Sequence, residues 1–146
     1  MAHVRKQIRD WLKSNLTGSA AAGNRVFVRR TLPLEKNLQP SLIIAVQNER
    51  SADAAMGGTQ QRTIEVRITA CVKGDSEASE DMLDALGVFV EEKFADNPAL
   101  GGLAETYEYQ ATEFAFSGDA ERSFCTAAFT FAVTLFTDRG NPEASL

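Results

Sequence analysis

The sequence predicts an α+β fold: a mostly antiparallel sheet of about five strands, in the order α-β-β-β-α-β-β, with two helices packed on one face. Three observations predict it. Two stretches, one at the N-terminus and one after residue 75, repeat apolar residues at helical spacing. Several others alternate apolar and polar residues with a period of two. The strands outnumber the helices and follow one another in hairpins. At 146 residues the chain suits one domain with a real core, here taken as residues 1–138 followed by a loose polar tail at 139–146. An apolar share of 44% and a charged share of 24% argue against disorder outside the ends.

The elements follow in order. Val4, Ile8, Trp11, Leu12 and Leu16 share one helical face, with Arg5, Lys6, Arg9 and Lys13 between them, so the first element is an amphipathic helix of about four turns. His3 precedes it in a terminus expected to fray. Gly18 and the run 19–23 end the helix in a loop. Residues 25–30 read as a short strand. Pro33 and Pro40 bracket a connector, and the β-branched run 41–46 suits a central strand. Residues 49–60, ERSADAAMGGTQ, show no usable period and read as a long mobile loop.

Ile64, Val66, Ile68, Ala70 and Val72 alternate with polar residues and predict a strand with one core face and one wet face. Cys71 has the parity of the wet face and is expected half-exposed. The helix that follows carries its signals in sequence: Asp75 or Ser76 as cap, Glu77, Glu80 and Asp81 near the positive end of the dipole, and Pro98 beyond its end. Met82, Leu83, Leu86, Phe89, Val90 and Phe94 form its apolar stripe. Residues 105–116 read as a strand in which Tyr107, Tyr109 and Ala111 share a parity that Phe114 and Phe116 break, as a β-bulge near 112–113 would produce. A turn at 117–121 leads to a last strand over 122–137, with Cys125, Ala127, Phe129, Phe131, Val133 and Leu135 on its core face. Sixteen residues reach roughly 50 Å at about 3.3 Å each. Such a hairpin either extends beyond its own core toward a neighbour or bends and stays at home.

The chemistry-bearing residues are few. His3 is the one histidine, so neither a Ser-His-Asp set nor a Cys-His pair can be assembled. Cys71 and Cys125 are the two cysteines; their opposite parities keep them from pairing, and a reducing compartment follows. Glu77, Glu80, Asp81 and Asp84 lie on adjacent helix turns and read as a solvated acidic face rather than a metal site. Gly57-Gly58 lacks the Lys-Ser/Thr of a phosphate cradle. The expectation is no catalytic residue, metal or cofactor. No stretch approaches the roughly 18 apolar residues of a membrane span, and residues 1–13 lack the uninterrupted apolar run of a signal peptide. A soluble protein made in a cytoplasm is expected.

Charge divides the chain. Residues 1–73 hold 12 basic and 5 acidic residues, a balance of +7; residues 74–146 hold 3 and 15, a balance of −12. Two solvated surfaces of different composition would show such a split, and so would a head-to-tail contact between copies. Arg25, Arg29, Arg30, Arg50, Arg62 and Arg67 raise nucleic-acid binding, but a pI near 4.9 and the lack of a basic stripe with interleaved aromatics argue against a specific binder. Arg29 and Arg30 are better placed to pair with a neighbour's acidic helix.

The ordered set comprises the N-terminal amphipathic helix, LQPSLIIAVQ, a long loop, RTIEVRITACV, the acidic-capped helix DSEASEDMLDALGVFVEEKF, ETYEYQATEFAF and FTFAVTLF. Over about residues 3–137 it resembles the tail terminator proteins of lambda-like phages with long non-contractile tails. That resemblance implies a hexameric ring that binds the end of the tail tube, stops tube growth and offers the surface for head joining. Its implied partners are further copies of itself, the tail tube protein and a head–tail connector or neck protein, with no membrane or specific nucleic acid. Its implied location is the virion tail, after assembly in the host cytoplasm. Candidate subunit or tube contacts are Arg25, Arg29, Arg30, Glu49, Arg50, Met56, Arg62, Glu77, Glu80, Asp81 and Asp84. Two other readings stand beside it: another head-completion, neck or tail-completion ring protein, and a small α+β enzyme or ligand-binding domain.

Overall fold

The computed structural model describes residues 2–31, 40–54, 57–117 and 123–146; Pro33, Met56 and the turn expected after Ser117 lie outside them. Helix α1 spans Val4–Leu16 and buries Val4, Ile8, Leu12 and Leu16, a strict four-residue stripe. Thirteen residues make a marginal helix alone. Each of these buried aliphatics contributes roughly 1.5–3 kcal/mol, so packing rather than propensity holds α1. Helix α2, Glu77–Asp96, starts where Ser76 Oγ accepts from Ser79 N and buries Leu83, Leu86, Gly87, Val90 and Phe94.

The strands are β1 (Val26–Val28), β2 (Ser41–Asp53), β3 (Thr59–Lys73), β4 (Thr106–Ser117), β5 (Phe124–Asp138) and β6 (Asn141–Ser145). They form one sheet in the order β1-β2-β3-β5-β4, with β6 paired to the far end of β5. β1 runs parallel to β2, and the other pairs are antiparallel. The fold is α+β, and both helices cover one face. The stripes of α1 and α2 share a single core with Leu42, Ile44, Ile64, Val66, Ile68, Phe129, Phe131 and Val133. The Phe94 ring stacks on Phe131 at 3.9 Å with planes 3° apart. Gly87 lets α2 settle on Phe129, whose ring would lie 3.2 Å from a Cβ there. After α2, Gly101 takes a φ of +70° directly under the Trp11 indole, a conformation that other residues adopt at a cost.

Several expectations are corrected. The mobile loop at 49–60 is largely strand: residues 49–53 continue β2, residues 59–60 begin β3, and the pairing runs on to Asp53↔Gln60. Backbone hydrogen bonds need no apolar alternation, which is why the pattern there is silent. The tail is not loose, because Asn141–Ser145 form β6 and Leu146 N donates to Phe136 O. Of the two readings of the long last strand, the one that stays at home holds: β3 pairs with β5 in register from Thr59↔Asp138 to Lys73↔Phe124. The register shift in β4 falls between Tyr109 and Ala111, two residues before the expected place. Its effect is the expected one, since Tyr107, Tyr109, Phe114 and Phe116 all lie opposite core-side residues of β5. The short strand expected over 25–30 ends at Val28.

Cys71 does have the parity of the helix-free face, but it is fully buried. A short side chain between two flanking strands is shielded by its cross-strand neighbours Ser41 and Thr126, themselves buried. Cys125 sits on the core side, and both thiols are free.

Candidate functional site

The two long edges of the sheet differ in chemistry. At one edge, β1 carries Val28, which is 38% exposed, followed by exposed Arg30. Arg29 lays its guanidinium 4.8 Å from the Phe27 ring centroid, and its Nε is buried with no hydrogen-bond partner among the described residues. Arg30 Nη2 donates to Val46 O. Arg25 is committed internally, donating to Pro40 O and Ala21 O, so it fixes the entrance to β1 rather than an outward contact. Basic α1 lies over this side of the sheet, where it packs on β1 and β2.

At the opposite edge β4 has β5 on one side and no strand on the other among the described residues. Helix α2 packs on β3 and β5 and meets β4 where Phe94 faces Tyr107, leaving the Phe114–Phe116 end uncovered. Phe114 and Phe116 therefore stand on the core side of the strand yet remain 67% and 57% exposed. Between α2 and β4 opens a groove of about 620 Å³ with Leu83, Phe114, Phe116 and Cys125 on its apolar walls and Asp75, Glu80 and Asp84 at its rim. Glu77 and Asp81 are exposed on the same first turns of α2. Burial pushes the Cys125 thiol above its ordinary range, and the nearby Glu80 carboxylate adds to this. Cys71 is pushed up to about 11 by burial and then by Cys125. Neither thiol is poised as a thiolate nucleophile.

A third constellation, unexpected from the pattern, sits beneath the start of α1. Arg62 reaches Glu49 Oε2 at 2.8 Å, with side chains 11% and 16% exposed, and its Nε donates to Thr137 Oγ1. Arg5 Nε lies 3.4 Å from Glu49 Oε1. Glu49 and Arg62 are thus each other's partners within one chain, clasping β2 to β3, whereas Arg50 on the same strand is exposed. Among the described residues no group of three or more His, Cys, Asp or Glu is placed to hold a metal ion.

His3 belongs to this cluster and is not frayed. Its Nδ1 caps α1 by accepting from Arg5 N at 3.2 Å. Burial lowers its pKa, with further lowering from Arg5, Arg62 and Arg9 against the raising effect of Glu49. A base whose folded pKa lies below its unfolded value stabilises the fold fully above the unfolded pKa, about 6.5. That contribution is lost as pH falls through 6.5 toward the folded value. The slope of unfolding free energy between pH 7 and 5 is expected to flatten in His3→Ser, which still caps but does not titrate. Parallel curves for the two proteins would remove His3 from the explanation.

No protein-family model matches the chain, and no curated protein matches it. Among solved structures it is similar to a chain from the virion of a native gene transfer agent particle, with a TM-score of 0.41, 11% identity and 92% of each chain covered.

Proposed function

We propose that this protein is a non-catalytic virion subunit that closes into a ring by head-to-tail contacts and caps a phage tail tube as its terminator. The observation that carries the ring is the unlike pair of sheet edges: basic with exposed Val28 at β1, acidic with exposed Phe114 and Phe116 at β4. Two different patches on opposite sides of one chain make a heterologous contact, and such a contact closes when its rotation permits. The role as tail cap comes from the ordered resemblance to tail terminators.

A structural role is further supported by where the reactive groups lie. The histidine caps a helix, and both thiols are buried, which pushes each one's pKa up. Among the described residues no helix is long and apolar enough to cross a membrane.

The test is direct. Purified protein added to growing tail tubes of its own phage should arrest elongation and leave ring-shaped density at one tube end in cryo-electron micrographs. Rings that bind isolated portal or connector assemblies but leave tube growth untouched would replace the tail-cap reading with a neck role.

A further inference from the structure

We infer that the groove between α2 and β4 is the socket for the β1 edge of a second copy of this chain, with Val28 seated against Phe114 and Phe116 and Arg30 after it against Glu80 and Asp84. This deepens the ring reading by naming the contact and its register of chemistry.

The argument starts from the cost of the isolated edge. Two phenylalanines more than half exposed, side by side on a strand with open backbone groups, are the arrangement that chains normally blunt with lysine, proline or a covering element. Along 106–116 β4 carries no lysine or proline and no strand covers its open side among the described residues; the bulge at Gln110 and two glutamates are what blunt it. The rim is uniformly acidic, from Asp75, Glu80 and Asp84, so an occupant must bring apolar surface and positive charge together.

The β1 edge brings both. Val28 pairs in register with core-side Ile44, so it faces the helix side of the sheet, as Phe114 and Phe116 do. Arg30 beyond it is exposed, while Arg29 lies over Phe27 on the helix-free face. A neighbour continuing the sheet edge to edge therefore puts apolar side chains on the same face and Arg30 beside carboxylates. Arginine suits this place because its planar fork can take a carboxylate with two hydrogen bonds. The contact joins unlike patches, so every open oligomer keeps one empty socket and one free β1 edge until it closes.

The test uses Val28→Cys and Phe116→Cys on separate full-length chains, concentrated together and treated with a short bis-maleimide. The wild-type chain is the control for the two buried natural cysteines. A cross-linked dimer should form from the mixture and from neither variant alone, and the V28C/F116C chain should give a ladder. As a second measurement, Arg30→Glu should weaken self-association several-fold at low salt and Arg29→Glu should weaken it less, and Glu80→Arg with Asp84→Arg should recover much of the Arg30→Glu loss. Cross-linking of either single variant with itself would overturn the proposal in favour of a symmetric contact. Oligomers without the mixed cross-link, or a chain that stays monomeric and uncross-linked, would overturn it as well. Rings that cross-link as described but fail to arrest tail tubes would sink the tail-cap role and leave the socket standing.

Discussion

Replacing Phe94 by alanine is expected to cost about 3–5 kcal/mol, the range for deleting a large aromatic from a packed core. Phe94 is fully buried and stacked on Phe131, with Tyr107 at 5.2 Å on another side. The ring is thus the point where α2, β4 and β5 meet. Its removal leaves a void that none of the three can close alone, because each is held by the sheet or by its own helix. Against a total of roughly 5–15 kcal/mol for a domain, this variant should be partly unfolded near room temperature or close to it. The comparison is Val88→Ser, on the outward side of the same helix and 55% exposed, where the change should stay within about 0.5 kcal/mol. Urea midpoints for both variants decide the matter. A loss below about 1 kcal/mol for Phe94→Ala would mean that α2 is not anchored through this ring.

The second large effect concerns the clasp of β2 and β3. Glu49→Ala leaves the Arg62 guanidinium, on a side chain only 11% exposed in the intact protein, with Thr137 as its hydrogen-bond partner among the described residues and cationic Arg5 close by. Breaking one side of a fully buried pair costs about 3–5 kcal/mol; slight exposure here places the expected loss nearer 2–3. Removing both charges is a different perturbation. Glu49→Leu with Arg62→Met replaces the pair by apolar groups of similar length and is expected to be close to neutral. If the single and double variants lose equal stability in a denaturant titration, packing rather than the ion pair joins the strands there.

How much of this was legible in the sequence depended on whether burial followed a period. The stripes of α1 and α2 and the alternation from Ile64 to Val72 announce themselves because one face of each enters a single core. The break in parity between Tyr109 and Phe114 announces the bulge, although apolar residues alone cannot say which polar residue between them is the extra one. The distal half of the β2–β3 hairpin was hidden, since Ser51, Ala52 and Asp53 are exposed and are held through the backbone, the Arg62–Glu49 pair and Arg139 on Asp53. β6 was hidden for the same reason, with a proline in a polar pentapeptide.

The interface candidates divide similarly. Arg29, Arg30, Glu80 and Asp84 were legible as charge, and the fold sets them at opposite edges. Glu49 and Arg62 were legible as charges but not as partners, because strand pairing is what brings position 49 beside 62. Phe114 and Phe116 were read as strand residues; their exposure comes from the reach of α2, which no local pattern encodes.

The bulge at the middle of β4 carries a consequence for how such an edge can diverge. In a strand, sidedness is a matter of odd and even, and one added residue exchanges the two. Gln110 is that residue, so the identity of the edge resides in an insertion as much as in the aromatics it displays. Were Gln110 paired like its neighbours instead of being absorbed in the bulge, the same two phenylalanines would turn to the helix-free face and the socket would lose its walls. The side this edge shows is therefore decided by where the backbone takes up one surplus residue, and loss of Gln110 together with its bulge would leave both aromatics where they are.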